Sequence, residues 1–181
     1  MKVKKVNYEA NGIPIIIRSA ETRDANQLSQ IRVQIDGETE FLDREPGEAF
    51  LDSEAFKELI SSDQNNKNHL FLVAEANGKI IGFSRCEGSN LKRMSHKVEF
   101  GICILKEYWS LGIGKQLIET SIHWASENNI KKIVLSVIEI NEKAMEWYKR
   151  YGFEVEGVLK KDKRLEDGVY YSTIIMGKFL E

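Results

Sequence analysis

The clearest hydrophobic pattern in the chain is a pair of apolar runs joined by three turn residues. Residues 70–76 and 80–86 are both rich in apolar side chains, and Asn77-Gly78-Lys79 separates them. Because an Asn-Gly pair adopts positive φ at small cost, this pattern predicts a β-hairpin. A second hairpin is predicted at the start of the chain, where residues 3–8 and 13–18 flank another Asn-Gly pair.

Apolar residues at helical spacing predict four helices. We expect Asp24 to cap the first helix and Ser53 to cap the second, because short polar side chains accept hydrogen bonds from the free N–H groups of a helix start. The third helix is predicted to begin at Gly112. The fourth is predicted to extend from Asn141 to a stop at Gly152.

Four more apolar segments complete the predicted sheet, and they span residues 97–105, 133–138, 153–159 and 170–179. The third helix joins the first two of these strands, so we expect those two to be parallel. The expected fold class is therefore α/β, with a mixed central sheet, mostly antiparallel, flanked by about four helices. Ligands in such sheets bind at the carboxyl ends of parallel strands.

A glycine pair at the start of the third helix carries the most specific chemistry, in the sequence Tyr-Trp-Ser-Leu-Gly-Ile-Gly-Lys of residues 108–115. Free backbone N–H groups, the helix dipole and the missing glycine side chains together favour a bound phosphate. A nucleoside-triphosphate loop would need glycine at Trp109 and Ser or Thr at Gln116, and a dinucleotide fingerprint would need glycine at Leu117. Both motifs are absent, so the pair alone also fits a tight turn.

Composition limits the number of domains and the classes of partner. A chain of 181 residues with 42% hydrophobic content is expected to form one domain, residues 1–181. The net charge of −2 gives no indication of nucleic acid or membrane as a partner. Because Cys86 and Cys103 lie in apolar strands without a metal-ligand pattern, we expect reduced thiols, no metal and a cytoplasmic location. No segment has the pattern of a membrane span or a leader.

Two motifs together resemble the GNAT superfamily of acetyl-CoA-dependent N-acetyltransferases. One is the loop Leu111-Gly112-Ile113-Gly114, and the other is Asn141, Ala144 and Tyr148 followed by Gly152-Phe153. Their order and spacing are similar to those of the family, and the resemblance covers most of the chain. It implies acetyl-CoA as co-substrate and a parallel strand pair that splays apart to receive it.

The resemblance also indicates a branch of the family. Residues 98–102 and 167–170 look like the branch that acylates free amino acids and related small amines. Ser172 stands where relatives often have Asp, so the acceptor is left open. Protein N-terminal and polyamine acetyltransferases are alternatives, as is an inactive CoA-binding regulatory domain.

By the same resemblance, the cofactor would lie in the gap between the parallel strands and along the glycine loop. The residues expected to bind it are Ile102, Cys103, Ile104, Trp109, Ser110, Leu111, Gly112, Ile113, Gly114, Lys115, Asn141 and Ala144. Trp109 departs from the family, which usually has Gln or Arg there, and Lys115 is expected to supply a compensating charge. Asn141 is also expected to cap the fourth helix.

Acetyl transfer to an amine needs a base, a donor for the oxyanion and an acid for the leaving thiolate. We expect Tyr148 to be the acid, because its phenol can point into the gap; the alternative is that its ring only packs. Glu99 is the candidate base, directly or through a water, and a solvated strand residue is the alternative. His96 is a weaker candidate base. A backbone N–H near Cys103 or Ile104 would serve the thioester oxygen.

The acceptor amine is expected to contact the connector between the first two helices, residues 37–50, which we interpret as irregular and mobile. Glu38, Phe41 and Leu42 lie on this connector, which in relatives covers the substrate cleft. Glu38 and Phe41, with Tyr170 from the opposite side, are the candidate substrate-binding residues. An acidic residue would favour a cationic amine and an aromatic residue an apolar side chain. A homodimer could form if the final strand lies exposed at an edge of the sheet.

Overall fold

The alternating apolar segments form one mixed sheet in the computed structural model, which describes residues 2–181. Its strands are β1 (Val6–Ala10), β2 (Ile13–Ser19), β3 (Leu70–Ala76), β4 (Lys79–Gly88), β5 (Lys97–Ile104), β6 (Lys132–Ile138), β7 (Glu154–Arg164) and β8 (Tyr170–Phe179). They lie in the order β1-β2-β3-β4-β5-β6-β8-β7. Every neighbouring pair is antiparallel except β5 and β6, which are parallel. The predicted fold class is confirmed.

Four α-helices cover the two faces of this sheet: α1 (Ala25–Glu38), α2 (Ser53–Asn65), α3 (Ile113–Glu127) and α4 (Glu142–Arg150). On β4, Arg85 binds Asp63 of α2, whereas the next residue, Cys86, lies against Ser121 of α3. Because successive strand residues point to opposite faces, α2 and α3 lie on opposite sides of the sheet. None of the helices within residues 2–181 is long and apolar enough to cross a membrane.

Two of the three predicted helix caps, at Asp24 and Ser53, differ in detail from the structure. Asp52, one position before the predicted Ser53, caps α2. Its carboxylate accepts a hydrogen bond of 2.8 Å from Ala55 N–H. Asp24 occupies the predicted N-cap position of α1, but its side chain makes no capping bond and instead binds the buried Arg18 through both oxygens at 2.7 Å. A buried guanidinium needs a counter-charge, and this requirement takes precedence over capping.

Several boundaries also differ from the sequence pattern. Strand β1 begins at Val6 rather than residue 3, and β7 continues to Arg164 rather than ending at residue 159. Helix α1 continues to Glu38, so residues 37 and 38 are helical and the connector begins at Thr39. The final strand, β8, pairs with β6 and β7 on its two sides, so it is not a free edge and the expected route to a dimer is wrong.

The parallel strands diverge soon after they begin. Their pairing covers only Lys97, Val98 and Glu99 of β5, opposite Lys132, Ile133 and Val134 of β6. Beyond these positions β6 continues to pair with β8, and β5 continues to pair with β4. A gap therefore opens in the sheet beside residues 100–104, as expected for a splayed pair.

Candidate active site

A cleft of about 940 Å³ opens where β5 and β6 separate. The start of α3 and one face of α4 line one half of it, and we call this half the cofactor half. Residues of α1, the following connector, α2, β3, β4 and β7 line the other half, which we call the acceptor half, and Glu99 of β5 faces it. The cleft therefore passes through the sheet and connects its two faces.

The glycine loop lies at the mouth of the cofactor half. Ser110 and Gly112 both have positive φ, 67° and 78°, so the chain turns sharply before α3. The first helical bond is donated by Gln116 N–H to Gly112 C=O at 3.1 Å, which leaves the N–H groups of residues 112–115 without a partner in the helix. A Cβ on Gly114 would lie 3.3 Å from the Trp147 ring, so the second glycine allows α3 and α4 to approach closely.

Trp109 ties this loop to the sheet. Its indole N–H donates a hydrogen bond of 2.9 Å to Ile104 C=O, at the end of β5, and its side chain lines the cleft while remaining partly exposed. The residue that departs from the family pattern thus has a structural partner of its own. Leu111 differs from its neighbours, because it does not line the cleft; its carbonyl accepts a hydrogen bond of 3.3 Å from Tyr8.

Two exposed lysines face the cofactor half of the cleft. Lys115 follows the second glycine, and Lys143 is in the first turn of α4. Neither forms an ion pair within residues 2–181. They add positive charge beside the free N–H groups. Lys143 was missed from the sequence, where nothing distinguishes it from other surface lysines.

The edge of β5 that faces the gap presents free backbone groups. Leu105 N–H binds Ile81 C=O of β4 at 3.0 Å, and antiparallel pairing directs alternate residues to the same side. The backbone groups of Cys103 therefore face β4, whereas those of Ile102 and Ile104 face the gap. Trp109 takes the Ile104 carbonyl, so the N–H groups of Ile102 and Ile104 are the donors directed into the cleft.

Tyr148 lies deep in the cleft, with 7% of its surface exposed. Its ring packs edge-on against Trp147 and Phe153, with centroids at 4.9 and 5.7 Å, and its hydroxyl has no hydrogen bond within the described chain. Burial raises the pKa of Tyr148, and the nearby Cys103 raises it further. Asn141 holds the start of this helix, since its side chain accepts a bond of 3.2 Å from Ala144 N–H.

Glu99 lines the cleft from the last paired position of β5. Its side chain is exposed and shares a face with Cys103, four residues further along the strand. The residue opposite it on β4 is Glu87. His96 is exposed and does not line the cleft, although its carbonyl accepts bonds from Lys131 and Lys132. Geometry thus brings Glu99, and not His96, to the same cleft as Tyr148.

Of the three predicted acceptor residues, only Phe41 lines the cleft. Glu38 is directed elsewhere: its carboxylate accepts a bond of 2.7 Å from Lys106 N–H. Tyr170 is 59% exposed and does not line the cleft. Other apolar residues form the acceptor half instead, and they are Leu42, Leu51, Phe56, Leu59, Phe71 and Phe83.

Most charged residues of the acceptor half are paired. Arg44 binds the buried Asp36 through two hydrogen bonds of 3.0 Å. Lys163 of β7 pairs with Asp43 on the connector. Arg85 binds Glu87 at 2.6 Å and also the buried Asp63. Ion pairs therefore join the connector to α1 and to β7.

Comparison with known families identifies the protein family of the chain. Residues 36–153 match the model of the acetyltransferase (GNAT) family. The chain is a GNAT acetyltransferase. The matched region contains the glycine loop, β5, β6 and α4, so it includes the splayed strand pair and the cofactor half of the cleft.

Relatives of this GNAT enzyme match most of its length. L-amino acid N-acetyltransferase AaaT of Escherichia coli K12 is 29% identical over 168 residues, which cover 91% of this chain and 97% of AaaT. Spermidine N(1)-acetyltransferase of the same organism is also 29% identical, over 73% of this chain and 68% of its own length. The chain is accordingly an acyltransferase of the N-acetyltransferase type.

Solved structures of the family share the fold. A GNAT-family acetyltransferase from Streptococcus pneumoniae superimposes with a TM-score of 0.88 at 30% identity, over 92% of this chain and 99% of the other. The structure of yncA from Salmonella typhimurium with its cofactor acetyl-CoA gives a TM-score of 0.81 at 17% identity, over 92% and 94% of the two chains. The second likeness is one of fold alone.

Proposed function

We propose that this enzyme transfers the acetyl group of acetyl-CoA directly to the primary amine of a small molecule, an amino acid or an amino-acid-like compound. One observation carries the proposal: a single cleft joins free N–H groups at a helix start to a buried, unbonded phenol. The family of the chain and its likeness to AaaT support it. We also propose that residues 1–181 act as one catalytic domain.

The residues of the cofactor half fit coenzyme A. The free N–H groups of residues 112–115 and the side chain of Lys115 would hold its diphosphate, because oriented donors at a helix start favour anions. Ile102 would offer its backbone N–H group to the amide-containing arm, with Ala144 and Asn141 on the facing helix, and Ile104 would lie beside the thioester. No cluster of acids, histidines and cysteines within residues 2–181 could hold a metal, and no step of the proposal needs one.

Tyr148 is the proposed acid. When bound, acetyl-CoA supplies the thioester; a carbon–nitrogen bond to the amine forms and the carbon–sulfur bond breaks. The Tyr148 hydroxyl donates its proton to the departing sulfur. Burial raises the pKa of Tyr148, so the phenol is protonated through the neutral range and has a proton to donate. The Ile104 N–H is the proposed oxyanion donor, because it faces the gap and the Cys103 N–H does not.

Glu99 is the proposed base. The acceptor arrives as an ammonium, and Glu99 takes a proton from it before the nitrogen can attack. Glu99 and Cys103 are four residues apart, which separates their Cα atoms by about 13 Å along a strand. The proton therefore travels through water rather than by direct contact. The second proton of the nitrogen leaves to solvent as the amide forms.

The direct test measures acetyl-CoA binding by calorimetry and free-thiol release with amino acids, polyamines and peptides with free N-termini. We expect tight binding and thiol release that depends on a small amine. Binding without release for any amine would instead favour an inactive regulatory domain. Release only with peptides or only with polyamines would reassign the acceptor and leave the cofactor half of the proposal standing.

A further inference from the structure

Two charged groups of the acceptor half remain without an ion pair, and they have opposite signs. Arg44 is neutralised by Asp36, Lys163 by Asp43, and Arg85 by Glu87 and Asp63. These pairs leave Arg32 and Glu99 as the lining charges that have no oppositely charged partner within residues 2–181. The acceptor half is therefore charged at two separate points.

Arg32 lines the cleft, and a hydrogen bond fixes the position of its side chain. It is half-buried on α1, four residues before Asp36, and one of its guanidinium nitrogens donates a bond of 2.7 Å to Ala49 C=O on the connector. Asp36 gives both of its carboxylate oxygens to Arg44. Burial lowers the pKa of Arg32 and the charge of Arg44 lowers it further, whereas the charge of Asp36 acts in the opposite direction.

The surroundings of these two charges are apolar. Phe56 and Phe71 lie with ring centroids 6.5 Å apart, and Phe71 and Phe83 lie 5.9 Å apart. All three line the cleft, together with Leu51 and Leu59. A charged ligand in such a place gains more from a matching group than it would in water, because the local dielectric is low.

We propose that the acceptor is a zwitterionic α-amino acid with an apolar side chain, whose carboxylate binds Arg32 and whose ammonium is drawn toward Glu99. This inference rests on the proposed function and narrows it. A guanidinium matches a carboxylate with two parallel hydrogen bonds, which fixes the orientation of the amine. The aromatic and leucine wall receives the side chain. A polyamine has several cations and no anion, so it would leave Arg32 unpaired and bring positive charge beside it.

The test compares acceptors that differ only in the carboxylate. Thiol release is measured with wild-type enzyme for phenylalanine, leucine and methionine, for their C-terminal amides, and for spermidine. We expect kcat/KM for the acids to exceed that for the amides by about 10- to 100-fold, the range given by a charge-assisted hydrogen bond. Spermidine should be the poorest acceptor. These comparisons need no variant, so they hold even if an altered protein folds badly.

Variants then assign the preference to one residue. In Arg32→Gln the ratio of kcat/KM for the acids to kcat/KM for the amides should fall toward one, mainly because the KM of the acids rises. Arg32→Lys should restore part of this ratio. Arg93→Gln, on the exposed loop between β4 and β5, is the matched control and should leave the ratio unchanged. Acetyl-CoA affinity should stay constant in all three.

Three results would overturn the proposal. Equal kcat/KM for acids and amides in the wild type would remove the carboxylate site while leaving an amine acetyltransferase in place. An unchanged ratio in Arg32→Gln would move the site to another residue. Absence of thiol release with every amine, despite acetyl-CoA binding, would instead reject the proposed function itself.

Discussion

The two halves of the cleft are built in different ways. The cofactor half uses backbone N–H groups from a short continuous loop and from one strand edge, with few side chains. The acceptor half uses side chains from α1, the connector, α2, β3, β4 and β7, joined by ion pairs. A backbone site tolerates sequence change outside its glycines, whereas a side-chain site changes with each substitution. This difference agrees with the names of two relatives, which give different acceptors, an L-amino acid and spermidine.

The strongest test of the shared half is Tyr148→Phe. Loss of a general acid typically lowers turnover by about 10²- to 10⁴-fold, and we expect kcat to fall in this range while acetyl-CoA affinity holds. Stopped-flow and steady-state thiol release measure kcat, and calorimetry measures affinity. Tyr151→Phe is the matched control, since Tyr151 packs on the same Trp147 ring but does not line the cleft. Full turnover in Tyr148→Phe would show that this tyrosine only packs.

Glu99→Gln tests the junction between the halves. We expect kcat/KM for the acceptor to fall by about 10²-fold near neutral pH, the lower end of the range for a general base. The deficit should shrink as pH rises, because more of the amine then arrives already deprotonated. A pH series of initial rates checks this, with Glu87→Gln as the neighbouring control. A deficit that is independent of pH would argue for a role in binding rather than proton transfer.

Asp36→Asn should loosen the acceptor half selectively. It leaves Arg44 without its partner, and removing one member of a buried pair costs roughly 3–5 kcal/mol. Arg44 is partly exposed, so solvent screening should reduce the loss of unfolding free energy to about 1–3 kcal/mol. The acceptor KM should rise, with little change for acetyl-CoA. Thermal unfolding measures the loss of stability, and steady-state kinetics measure the acceptor KM. Glu54→Gln, which removes one member of an exposed ion pair with Lys57, is the control.

The two cysteines lie in different surroundings: Cys86 packs against Ser121 of α3, and Cys103 lines the cleft. Burial raises the pKa of Cys86 to about 12 and that of Cys103 to about 11. Above pH 9 the unfolded chain loses thiol protons that the folded chain keeps, so stability falls as pH rises. The slope should be about 1.4 kcal/mol per pH unit for each thiol. Urea unfolding between pH 7 and 10.5 measures it, and Cys86→Ala should reduce the slope. A flat profile would mean that the thiols are not buried in solution.

Trp109→Phe should have the smallest effect. It keeps an aromatic ring but removes the hydrogen bond to Ile104 C=O, which is worth about 1 kcal/mol. We therefore expect acetyl-CoA affinity to weaken by about five-fold, with the acceptor KM unchanged. Titration calorimetry checks the first and steady-state kinetics the second. A change confined to the acceptor KM would contradict the division of the cleft into two halves.

Local patterns were sufficient wherever a short segment forms its own interactions. The hairpin at Asn77-Gly78, the helix start at Gly112 and the cap at Asn141 all follow from the conformations and hydrogen bonds of adjacent residues. Asp24 shows the limit of this reasoning. As a residue before a helix it predicts a cap, but its carboxylate serves a buried arginine six residues earlier.

Sequence alone determined the succession of strands and helices along the chain, the parallel pair with its crossover and the glycine loop, because each depends on periodicity or on contacts between near neighbours. Tertiary structure decided the acceptor half. It brought Arg32 and Arg44 beside β5, placed Glu38 against Lys106 rather than in the cleft, and left Tyr170 outside. Charges pair with whichever groups folding brings within a few ångströms, and that distance is set by the packing of the whole sheet and its helices.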